Sequence, residues 1–175
     1  MGQQQLLLLV LGLVIVGLAV VVGIQAFEEN KRKSTQDRVY ALAAQTMADV
    51  AAWKAKPGAL AGGQDQRFLR GFTWQGLGYD DTYDSVNQIR LDPEGIWLYY
   101  PPFNLGANGA PMRVLHPEYG VGVELRFYGD ATDCIQLIPM SAPPGQGTTY
   151  GRGWTRLGST WAEEGTIPAS CPASW

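Results

Sequence analysis

The sequence predicts an α+β chain. A long N-terminal α-helix, hydrophobic in its first half and amphipathic in its second, packs on a C-terminal antiparallel β-sheet domain. Three observations carry this expectation. Leu6 to Ile24 is an unbroken apolar run of 19 residues. Beyond it, Val39, Leu42, Ala43, Met47, Val50 and Trp53 recur at three- and four-residue spacing, the period of one helix face. After residue 56 the chain turns rich in Gly and Pro and alternates apolar with polar residues, as short strands and turns do.

Coiled as a helix, the apolar run spans about 28 Å, close to the hydrocarbon thickness of a bilayer. No Lys or Arg precedes it, and it is long for the apolar core of a secretory signal peptide, which normally opens on a basic segment. The first charged residue is Glu28. Gly12, Gly17 and Gly23 interrupt the run; each weakens a helix in water by about 1 kcal/mol relative to Ala, but in a membrane or a bundle small residues let neighbouring helices approach. Glu28, Glu29, Lys31, Arg32, Lys33, Asp37 and Arg38 then mix both signs where an interface would lie. No Pro occurs until Pro57, so the helix is expected to run through the amphipathic stripe and stop at Pro57-Gly58 and Gly62-Gly63. Residues 1–27 are thus read as the hydrophobic helix, 28–56 as its amphipathic continuation, 57–70 as a linker and 71–175 as a β-rich head. The roughly 118 residues after the helix suffice for one small domain with its own core.

Within the head, Val86 to Leu91 and Ile96 to Tyr100 flank Asp92-Pro93-Glu94-Gly95, a turn signal. Val121, Val123, Leu125 and Phe127 alternate with Gly122, Glu124, Arg126 and Tyr128, which predicts a half-buried strand. Gly129 to Asp133 turns the chain into Cys134 to Ile138, making a central antiparallel hairpin. Ser141 to Gly153 reads as a loop and Trp154 to Trp161 as a last strand.

The net charge is -3 and gives no support for nucleic-acid binding. The single histidine, His116, stands before Pro117 in a Pro/Gly-rich stretch and reads as an exposed loop residue. Asp80, Asp81 and Asp84 form a small acidic cluster without the ligand spacing of a calcium loop; a solvated turn is the better reading and a calcium site the weaker one. No nucleophile elbow, phosphate loop or dinucleotide fingerprint occurs, so no enzyme, cofactor or resident metal is expected. The aromatic residues, Trp97, Tyr99 and Trp154 among them, suit packing in a small β domain or an adhesive, sugar-binding face. Two cysteines, Cys134 and Cys171, stand 37 residues apart. They are compatible with one disulfide in an oxidising compartment, or with two buried thiols in a reducing one.

In layout the chain resembles the type IV pilins: a hydrophobic helix that begins Gln3-Gln4-Gln5-Leu6-Leu7-Leu8-Leu9-Val10, an amphipathic continuation ending at Trp53, and a β head with two late cysteines. The resemblance implies a structural subunit that a prepilin peptidase cuts after a Gly, that is often methylated at its new N-terminus, and that polymerises with copies of itself by way of the pilus assembly machinery. The mature end would be Gln3, after a Met1-Gly2 leader, or Met1 itself. The polymerisation core would comprise Gln5, Leu6, Leu9, Gly12, Leu13, Val16, Gly17, Val20 and Gly23, and the chain would sit in the cytoplasmic membrane before joining an extracellular filament on the cell surface. In the Met1 frame, Gln5 stands where many pilins carry a Glu that pairs with a neighbour's amino terminus. Lys31, Arg32 and Lys33 would by the positive-inside tendency face the cytoplasm, whereas a disulfide-bonded head belongs outside; a basic leader removed ahead of Met1 reconciles the two. The alternative reading is a single-pass membrane-anchored β-domain binding protein, or a minor pilin-like component of a secretion machine.

Overall fold

A computed structural model describes residues 2–60, 62–63, 72–79, 82–84, 89–100, 110–128, 134–147, 153–159 and 161–171. The chain divides into two compact units, Met1–Thr35 and Gln36–Trp175. A single helix, α1 (Gly2–Ala55), enters both.

The first unit is helix alone. The second is built on the amphipathic half of α1. Val39, Ala43, Thr46, Val50 and Trp53 are its buried residues, at spacings of three and four. Leu42 and Met47 flank this stripe, partly buried against the same core. Thr46 was not part of the expected stripe. Its hydroxyl donates to the Leu42 carbonyl at 2.7 Å, so the buried polar atom is satisfied within the helix. Lys56, Pro57 and a 3-10 turn (Gly58–Leu60) follow the helix. Gly63 then folds back: its N–H donates to the Trp53 carbonyl at 3.0 Å, and a Cβ there would meet the Trp53 ring at 2.4 Å. Only glycine lets the chain pass so close to the indole.

Seven antiparallel strands form one sheet in sequence order, a meander: β1 (Thr82–Asp84), β2 (Ile89–Leu91), β3 (Trp97–Tyr99), β4 (Ala110–His116), β5 (Val121–Phe127), β6 (Ile135–Ser141) and β7 (Thr155–Arg156). The expected hairpin around Asp92–Gly95 is β2–β3, with Leu91 opposite Trp97. Its turn is closed by Gly95 N–H to the Asp92 carbonyl at 2.9 Å and by the Asp92 side chain accepting from Glu94 N–H at 3.0 Å, and Gly95 takes φ 84°. β5 and β6 pair along seven residues, from Val121 opposite Ser141 to Phe127 opposite Ile135.

One face of the sheet joins the helix. Leu98, Met112, Val114, Val121, Val123, Leu125 and Phe127 share a single hydrophobic core with the buried stripe of α1. Trp53, Phe72, Trp74 and Tyr100 meet edge to face in the same core, with ring centroids 5.2–5.5 Å apart.

Three expectations need correction. β5 is buried at all seven positions rather than at alternate ones. Its second face, carrying Gly122, Glu124 and Arg126, is covered by the C-terminal part of the head: a Cβ on Gly122 would meet the Trp154 ring at 2.9 Å, and Arg156 reaches Glu124. His116 lies at the end of β4 and is 6% exposed, so it is not an exposed loop residue. The last strand is only Thr155–Arg156, and Trp161 begins a four-residue helix, α2 (Trp161–Glu164).

Candidate functional site

The surface most out of keeping with a water-soluble protein is the first unit. Between Leu6 and Ile24 all 15 Leu, Val and Ile side chains are at least half exposed, from 50% at Val10 and Val14 to 72% at Leu13. Among the described residues, apart from the helix's own adjoining backbone, Gly12, Gly17 and Gly23 have nothing within 4 Å of where a Cβ would stand. The segment is long and apolar enough to cross a membrane, with a mean hydropathy of 3.2 over its best 18-residue window. Phe27, 71% exposed, closes the apolar part. Glu29 and Lys33 then pair one turn apart at 2.9 Å, and the bond and charge of Lys33 hold the Glu29 carboxyl below the ordinary glutamate range. Every residue expected in the polymerisation core that follows Gln5 lies on this segment, and Gly2, Gln3 and Gln5 lie on its first turns. Met1 is outside the described residues.

Charge and hydrogen bonding also tie α1 to its own head. Arg38 reaches the β2–β3 turn, with Nε 2.5 Å from Glu94 and an Nη 3.4 Å from Asp92. The Tyr79 hydroxyl donates to Asp49 at 2.5 Å.

The head also holds a charged cluster that the alternating pattern of β5 did not suggest. Glu124 is fully buried, and three guanidinium Nε atoms converge on it: Arg113 at 2.9 Å, Arg126 at 2.7 Å and Arg156 at 2.9 Å. Arg113 stands opposite Glu124 on β4, Arg126 two residues along β5, and Arg156 on β7. Arg156 also pairs with Glu163 of α2 at 3.1 Å. Burial raises the carboxyl of Glu124; the bonds and charges of Arg126 and Arg113 oppose it and prevail, so the group is held below its usual range. A buried carboxylate spanned by three cations is a cross-brace between strands and helix rather than a proton donor to a substrate. The local signal for it was Glu124 and Arg126 at i and i+2 on one strand; nothing near Arg156 marked it as the third arm.

Cys134 and Cys171 form a disulfide with Cα atoms 5.4 Å apart, and Tyr128 is buried with them. This settles the choice between bonded and free thiols, and it fastens the C-terminal segment to the start of β6. The His116 ring lies against Tyr119 at 4.9 Å, and its Nδ1 is buried with no hydrogen-bond partner among the described residues. Among the described residues no three His, Cys, Asp or Glu side chains gather as a metal site would require. Of the weak calcium candidates, Asp80 and Asp81 lie outside the described residues, and Asp84 is placed on β1 by its backbone.

No model of a known protein family, no curated protein and no solved structure matches the chain.

Proposed function

We propose that this chain is the structural subunit of an extracellular type IV pilus-like filament, anchored in the membrane by Leu6–Ile24 before assembly and held to its neighbours by the same residues afterwards. The observation that carries the reading is the division of α1. Its second half buries one stripe, Val39 to Trp53, in its own head, while its first half exposes 15 large apolar side chains with no charge among them. Water is a poor solvent for such a helix. Each large aliphatic side chain removed from it gains roughly 1.5–3 kcal/mol, so lipid and copies of the same helix are its two natural environments. Copies packed by one repeated, non-closing contact grow as a helical polymer. The disulfide-bonded head fits an oxidising, extracellular setting. The reading brings with it processing at Gly2–Gln3 or a mature Met1, and the pilus assembly machinery as partner.

A charge in the bundled segment tests this. Val16→Asp and Leu13→Asp are expected to abolish filaments while the thermal unfolding of the head stays as in the unaltered chain, because burying one unpaired carboxylate costs several kcal/mol per subunit. Filaments of normal yield and length from either variant would overturn the bundled-core reading. The second reading, a single-pass anchored binding protein, rests on the same length and hydropathy of the segment; it predicts a chain that leaves the membrane only with detergent and never as sheared polymer.

A further inference from the structure

The first turns of α1 pose a charge problem. In the frame cut between Gly2 and Gln3, the α-amine of Gln3 heads the helix, and a free α-amine is largely protonated at neutral pH. The first turn of α1 holds no acidic residue, and no carboxylate side chain occurs before Glu28. At the rise of a helix, Glu28 stands about 38 Å from that amine. The macrodipole makes matters worse, since a helix N-terminus already carries about half a positive charge. Leu6, Leu7, Leu8 and Leu9 follow at once and are 67–70% exposed. The lipid or helix bundle that takes them in leaves the amine little water, and an ion desolvated without a partner costs several kcal/mol. Gln3 itself carries the remedy. An N-terminal glutamine has its own side-chain amide at the distance of a five-membered ring. Gln4 and Gln5 have no such chemistry, because their backbone nitrogens lie in peptide bonds.

We propose that Gln3 is a modification site: once it is the first residue it closes to pyroglutamate, and an uncharged lactam heads the subunit when it assembles. This rests on the filament reading above, with its cut between Gly2 and Gln3, and deepens it by naming the chemical form of the end. The α-amino nitrogen attacks the side-chain Cδ carbonyl. The N–Cδ bond forms, the Cδ–Nε2 bond breaks, and Nε2 leaves as ammonia with a proton from the attacking amine. No oxidant, reductant or co-reactant is needed. The product keeps one N–H donor and one carbonyl acceptor and has lost the charge. Its ring is built like that of proline, the residue favoured at the first position of a helix, where the backbone N–H has no intrahelical partner. The lactam nitrogen is an amide and no longer a nucleophile, so the ring also closes this end to methylation.

Filaments sheared from cells are dissolved in detergent, and their amines are capped at once with deuterated acetic anhydride, so that no ring closes during later work-up. Mass spectrometry of the N-terminal peptide then reads the end. The expected peptide begins at Gln3, is lighter than its sequence by one ammonia, and carries neither label nor methyl group on its first residue. A peptide that begins at Gln3 with a labelled or methylated amine overturns the ring and leaves the filament reading standing. A peptide that begins at Met1 overturns the ring together with the cut at Gly2–Gln3, and the filament reading again stands. Absence of any sheared polymer containing the chain overturns both. Gln3→Asn tests what the ring does: its amide is one carbon too short to close, so the end stays charged. The yield of sheared filaments should fall roughly tenfold or more, with head unfolding unchanged, because an ammonium is desolvated without a partner. Normal yield from Gln3→Asn, with its first residue found labelled, overturns the role of the ring in assembly.

Discussion

Replacing Glu124 by Gln should remove about 3–5 kcal/mol from the stability of the head. The side chains are isosteric, so no cavity opens and the effect is electrostatic. In the folded protein both carboxylate oxygens accept from arginine Nε atoms, Oε2 from Arg113 and Oε1 from Arg126, and Arg156 Nε makes an ion pair with Oε1 at 2.9 Å. An amide keeps one acceptor and turns an NH2 group toward the remaining donors. Three guanidinium groups, whose side chains are only 10–29% exposed, would then lack their common counter-charge. Breaking a buried ion pair by removing one partner costs about 3–5 kcal/mol, and at roughly 3–4 °C per kcal/mol for a unit of this size the melting temperature should fall by about 10–20 °C. The assay is thermal or urea unfolding of the full chain in detergent, followed by tryptophan fluorescence.

The pH dependence should change with it. The Glu124 carboxyl titrates below its unfolded value of about 4.3, so its contribution is complete above that pH and is lost as pH falls through the lowered folded value. The unaltered chain should lose stability in that window, and Glu124→Gln should lose less. A variant within about 1 kcal/mol of the unaltered chain, with the same acid profile, would refute the view that this cluster braces the sheet. A double-mutant cycle with Arg113→Met isolates one arm, since the two side chains touch and their effects should not add.

Further expectations concern the rest of the head. Replacing both Cys134 and Cys171 by Ser opens a loop of 37 residues and should cost about 4 kcal/mol on the chain-entropy model, measured by urea unfolding with and without reductant. Gly120→Ala should destabilise by about 2–4 kcal/mol: Gly120 has φ 62°, and an added Cβ would stand 2.0 Å from the Ala142 carbonyl oxygen. An equally stable variant would mean that the β4–β5 turn yields more easily than its geometry indicates. Tyr100 is 2% exposed, and burial pushes its hydroxyl up to about 12. Its contribution should be complete below about pH 10, the unfolded value, and fall as pH rises toward 12 by about 2–3 kcal/mol; Tyr100→Phe should flatten that alkaline loss, and phenolate absorbance should show one tyrosine ionising late.

The features legible in the sequence were those with a short-range pattern. Helix α1 was marked by an apolar run, a stripe at three- and four-residue spacing and a stop at Pro57, all within one element. The β2–β3 turn was marked by Asp92-Pro93-Glu94-Gly95. What escaped notice depends on distant parts of the chain meeting. β4 was missed because Pro111, Pro117 and the neighbouring glycines read as turn residues, yet its ladder with β5 runs from Ala110 opposite Phe127 to His116 opposite Val121; Pro111 lacks only a donor, which a strand tolerates at suitable positions. The two-sided burial of β5 escaped because the alternation of Val123 and Leu125 with Glu124 and Arg126 is the pattern of a strand with one wet face. The cover arrives from Trp154 and Arg156 and is fastened by Cys171, and no local spacing encodes that. The exposed apolar surface was legible from composition alone.

The most direct measurement is electron microscopy of material sheared from cells, combined with mass spectrometry of its N-terminal peptide. The account predicts filaments that contain this chain, with a peptide beginning at Gln3 or Met1 and carrying the mass of any methyl group. A chain recovered only from detergent-extracted membrane, with no filaments, would contradict it.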